Sequence, residues 1–118
     1  MISSLFSCAS AKSIDISEAK SIKIFRGSSG ESVEISDAEV IKRITDNINS
    51  VELSREKRDN IDGFSYAISW YDENSAKIEA ITVFSESKVS YDGWIYTVKN
   101  NGEIDIEYID IFFADSVQ

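Results

Sequence analysis

The chain has 118 residues with one Cys, no His and no Pro, and carries 12 basic against 21 acidic side chains for a net charge of −9. That length is one domain, and its 42% hydrophobic residues suffice for a core. Missing His and a lone Cys exclude Ser-His-Asp and Cys-His catalysis, His-ligated metals, internal disulfides and Cys-rich zinc sites.

Residues 1–58 hold nine basic and nine acidic groups; residues 59–118 hold three basic and twelve acidic, so the whole net charge falls in the second half. A surface of that kind repels a phosphate backbone, and no nucleic-acid partner is expected. Solubility or a cationic partner would account for it.

In chain order the first signal is Cys8. It closes Leu5-Phe6-Ser7-Cys8 and is followed by Ala9-Ser10-Ala11. A Leu shortly before a small residue and a Cys is how a bacterial lipoprotein signal finishes, with cleavage before the Cys and lipid added to its sulfur. Residues 1–7 hold no Lys or Arg and are too short for a complete signal. On this reading residues 1–19 are a truncated signal remnant and a flexible tether rich in Ser, Ala and charge, and residues 20–118 are a single domain. The other reading is a cytosolic chain with an unremarkable thiol near a frayed end.

Ser21-Ile22-Lys23-Ile24-Phe25 and Ser32-Val33-Glu34-Ile35 alternate as half-buried strands, with Gly27-Ser28-Ser29-Gly30 as the turn between them. Ser36 and Glu39 have capping-box spacing, and Ile35 and Val40 are placed as a hydrophobic staple. Val40, Ile41, Ile44, Ile48 and Val51 form one helical face, so the spacing predicts a helix from about Asp37 to Asn49.

Strand signals then dominate. Val51, Leu53 and Arg55 alternate with Glu52, Ser54 and Glu56, and Arg58 to Gly63 reads as a loop. Phe64, Tyr66, Ile68 and Trp70 share one face of a strand, and Asp72-Glu73-Asn74-Ser75 turns the chain. Residues 77–84 return with a slip between Ala80 and Ile81 that suggests a bulge or two buried faces. Asp92-Gly93 is a tight-hairpin signal between strands at 88–91 and 94–98. After the Asn100-Asn101-Gly102 turn, residues 104–108 alternate like a strand, yet Tyr108, Ile109, Phe112 and Phe113 form a helical stripe with Asp105 as N-cap. A short helix over about 106–113 is predicted.

The order ββαβββββα describes an α+β fold. A mostly antiparallel curved sheet carries the main helix on one face and a short C-terminal helix at one end.

The layout resembles small uncharacterised lipoprotein domains of Gram-positive, often gut-dwelling, bacteria over roughly residues 20–113. The matching features are Ile22-x-Ile24, Ser36-Asp37-Ala38-Glu39 with Ile41 and Ile44, and Trp70-Tyr71-Asp72. Tyr91-Asp92-Gly93-Trp94-Ile95-Tyr96 and Gly102-Glu103-Ile104-Asp105 match as well. The resemblance implies an envelope location and no known activity, and it assigns no site residues.

Few motifs carry chemistry. Loops ending at Gly63 and Gly102 put Arg58, and Thr97 with Lys99, where an EF-hand needs oxygen ligands. A looser cation site from Asp59, Asn60 and Asp62 is weighed against solvated loop acids. Gly27 to Gly30 lacks both the P-loop Lys and the Gly-x-Ser-x-Gly spacing. Twenty-one acids will supply some carboxylate pair by chance, and a domain this small has little room for a deep cleft. No cofactor and no metal is expected.

Trp70, Tyr71, Trp94 and Tyr96 flank two hairpins and are the candidate binding surface, the other reading being core and cross-strand pairs. Tyr71 departs from the apolar face and is the one expected in solvent. The expectation is a non-enzymatic envelope domain. Its lipid anchor at Cys8 would be its only membrane attachment, on the extracellular face, and it would bind a protein or glycan partner. The alternatives are a small secreted enzyme or inhibitor, and a cytosolic structural module.

Overall fold

A computed structural model describes residues 11–55, 64–99 and 102–113. Cys8, the loop acids Asp59, Asn60 and Asp62, and the turn residues Asn100 and Asn101 lie outside the described residues. The α+β architecture is as expected.

Eight strands are found among the described residues: β1 (Ala11–Ser13), β2 (Ser21–Arg26), β3 (Ser32–Ile35), β4 (Glu52–Arg55), β5 (Tyr66–Tyr71), β6 (Lys77–Ser85), β7 (Lys88–Tyr91) and β8 (Trp94–Lys99). They form one sheet in the order β1-β4-β8-β7-β6-β5-β2-β3, and every neighbouring pair is antiparallel. Helix α1 (Ala38–Ser50) carries the chain from β3 at one edge to β4 near the other. Helix α2 (Ile106–Asp110) continues as a 3₁₀ turn over 111–113, close to the predicted span.

Alternation sets the core. Ile22, Ile24, Tyr66, Ile68, Trp70, Ile81, Val83, Val89, Tyr96, Val98 and Leu53 are buried on one face of the sheet. Register aligns them in rows, such as Ile24–Ile68–Ile81 and Val83–Val89–Tyr96. Ile41, Ile44 and Ile48 of α1 are buried with them. The slip expected at Ala80 falls elsewhere in β6. Tyr71 pairs with Lys77 and Trp70 with Glu79, which leaves Ile78 as the extra residue. That bulge resets the alternation, so Ile81 and Val83 point inward. Asp92 and Gly93 have φ of 55° and 84°, the left-handed pair that a two-residue hairpin requires.

Two expectations are corrected. The first is the tether over residues 9–19. Residues 11–13 form β1 against β4, and Ile14 and Ile16 are core residues, 1% and 5% exposed. From Ser13 the chain crosses to β2 beside α1. Asn49 holds it there: its Oδ1 accepts from the Ile16 N–H at 2.9 Å and its Nδ2 donates to the Ile16 carbonyl at 3.2 Å. Polar composition concealed two isoleucines spaced i, i+2, which suffice to dock a short segment.

The second correction concerns the helix start. The N-cap is Asp37, not Ser36: Asp37 Oδ1 accepts from the N–H groups of Glu39 (2.9 Å) and Val40 (3.4 Å). Asp37→Ala should therefore cost about 1 kcal/mol. Ser36→Ala should stay within about 0.5 kcal/mol. Urea melts of the two variants check this, and the opposite ranking would restore Ser36 as the cap.

The C-terminal segment is fastened by Asn47, whose side chain donates to the Glu103 carbonyl (2.9 Å) and accepts from the Asp105 N–H (2.9 Å). Phe113 then packs on Tyr66 with ring centroids 5.5 Å apart, and Arg26 lies over its ring. This closes the end of the sheet where β5 begins.

Candidate functional site

The four aromatics expected to form a surface are not brought together. Trp70 is fully buried, and its indole N–H donates to Thr45 Oγ1 of α1 at 2.9 Å. Tyr96 is 4% exposed and belongs to the core. Both are corrections to a surface role, and both follow from alternation within strands whose inner face α1 covers. Tyr71 is half-buried on the opposite face from Trp70, so it is less open than expected. Trp94 alone among the four is exposed, at 50%.

Trp94 stands at one corner of the sheet. The Asp92-Gly93 turn places it as the first residue of β8, opposite Tyr91 in the β7 pairing. Its alternation matches Tyr96 and Val98, so it lies on the core side of the sheet beyond the covered part. β4 ends beside it. Arg55 pairs with Tyr96 in register, and its guanidinium carbon sits 4.1 Å from the Trp94 ring centroid. That is a cation–π contact on a ring face.

Next to this pair, the Tyr91 hydroxyl donates to Glu79 Oε1 at 3.5 Å. Partial burial, then the charges of Glu79 and Asp92, push the Tyr91 phenol above its ordinary range. It stays protonated at neutral pH and acts there as a donor. The corner thus offers an exposed indole, a guanidinium, a phenol and carboxylates. It can stack and hydrogen-bond, and it holds no nucleophile–base pair.

Arg55 was legible as an oddity, a charged side chain in the apolar phase of Val51 and Leu53. Tyr91 and Glu79 gave no signal, because only the β6–β7 register brings them together.

A second exposed pair sits at the other end of the strands. Phe25 and Phe64 are 38% and 36% exposed with centroids 6.0 Å apart. Gly27 allows their approach, because a Cβ there would collide with the Phe64 carbonyl oxygen.

A trough of about 560 Å³ lies between the 16–20 segment and α1. Ile16, Ala19 and Ile41 contribute its apolar side, while Glu18, Lys20, Lys42 and Asp46 supply charge. Lys42 and Asp46 pair at 2.8 Å, and the hydrogen bond with that carboxylate, followed by its charge, raises the Lys42 pKa. Among the described residues no three of His, Cys, Asp or Glu are grouped to hold a metal ion. No helix among them is long and apolar enough to cross a membrane.

Comparison with family models, with curated proteins and with solved structures gives no match for this chain.

Proposed function

We propose that this chain is a non-enzymatic domain of a bacterial cell envelope, anchored by lipid on Cys8, that binds a protein or glycan partner. The observation that carries the binding role is the placement of exposed aromatic rings on strands at two ends of the sheet. Trp94 stands at one end and Phe25 with Phe64 at the other. Rings fixed on a sheet lose little freedom when a partner covers them, and Trp and Arg dominate the energetics of many interfaces. The anchor is supported by the lipoprotein-like ending Leu5-Phe6-Ser7-Cys8.

Expression in a bacterium fed labelled palmitate, with a functional lipoprotein signal upstream, tests the anchor. Label should enter the protein and be absent from Cys8→Ser, which should also leave the membrane fraction. The acidic composition works in the same direction, because it gives the domain little attraction of its own for an anionic bilayer. Unlabelled protein recovered from the cytosol would overturn the proposed function.

A further inference from the structure

We infer that the Trp94 corner is the part of the domain turned toward the membrane, with the Trp94 ring in the headgroup layer of the bilayer. This rests on the lipidation of Cys8 proposed above. The first support is the length of chain between Cys8 and the sheet. Ala11 opens β1 and pairs with Ser54, one residue from Arg55. Cys8 precedes Ala11 by three residues, which span at most about 10 Å when fully extended. β1 then runs away from that corner, with Ser13 opposite Glu52. A lipid on Cys8 therefore keeps the Ala11 end of the sheet near the headgroups.

Trp94 is at this same end. β8 is two places from β1 in the sheet, about 10 Å across at ordinary strand spacing. Its chemistry suits the location. An indole combines an apolar ring with one N–H donor and favours the membrane–water boundary. Arg55 lies over the ring, and its guanidinium can meet lipid phosphate. Glu79 and Asp92, beside Tyr91, oppose spontaneous binding to an anionic surface. The anchor, rather than intrinsic affinity, delivers the ring to the bilayer. The Phe25–Phe64 end then points outward, where a protein or glycan partner would be met.

The test uses Cys8 as a chemical handle. It is the only Cys, so a maleimide lipid in phosphatidylcholine vesicles couples the full chain there and nowhere else. The vesicles also carry phosphatidylcholine brominated close to the headgroup, and tryptophan emission is read. The coupled chain should lose emission to bromine, while uncoupled chain mixed with the same vesicles should not. Trp94→Phe should abolish the quenching and keep the emission of buried Trp70. Equal quenching in Trp94→Phe would overturn the inference. So would an unquenched coupled chain whose Trp94 remains open to acrylamide, which would leave the corner free for a soluble partner. Because the coupling is chemical, these outcomes judge orientation alone. Palmitate labelling in cells judges the lipidation on which it rests.

Discussion

Trp70→Ala should destabilise the domain by about 3–5 kcal/mol, a large share of the roughly 5–15 kcal/mol available to a domain of this kind. Trp70 is the largest of the fully buried side chains. It sits at the centre of the sheet, between Ile22 of β2 and Glu79 of β6 in register, with Thr45 of α1 above it. Truncation removes apolar burial and leaves a void that helix and strands cannot close together, because each is fixed by its neighbours. The Thr45 hydroxyl also loses its indole donor. Trp94→Ala, at the exposed corner, should stay within about 0.5 kcal/mol. Urea unfolding followed by far-ultraviolet circular dichroism compares the two. Similar small losses for both would mean that Trp70 is misplaced in the core.

Ile14→Ala and Ile16→Ala should each cost about 2–5 kcal/mol, and the double variant should fall short of their sum because the residues are close in the chain. A flexible tether would tolerate both changes without loss, so the measurement separates the two pictures of residues 11–19. Burial of 1% and 5% puts these side chains among the most enclosed in the molecule. Asn49 adds two hydrogen bonds to the same segment, and Asn49→Ala would leave the Ile16 N–H and carbonyl without those partners. Melts of the single and double variants are sufficient. Stability unchanged in the double variant would return this segment to the role of a linker.

The elements that were legible are those with strong local chemistry. Asp92-Gly93 supports only a tight turn, and Ile41, Ile44 and Ile48 recur at helical spacing whatever they pack against. β1 was not legible, because three residues paired to a strand some forty positions away leave no local period. Ser36 and Asp37 both suit an N-cap, and the choice between them turns on where the chain leaves β3. The exposed corner was legible in part. Trp94 and Tyr96 alternate on one face, so spacing alone treats them alike. What separates them is that β8 extends beyond the covered part of the sheet, which is a property of the whole architecture.

The direction of β1 also governs how the domain would bear tension. A pull between a membrane-held Cys8 and a partner at the Phe25–Phe64 end would run along the strands rather than across them. β1 lies antiparallel to β4 with three residue pairs in register. Under such a pull its hydrogen bonds would be strained together, in shear, instead of parting one after another as in an unzipping hairpin. Ile14 and Ile16 would have to leave the core before the load reached β2. A short edge strand that looks expendable in the sheet would thus act as a mechanical clasp, setting the force at which the domain begins to open.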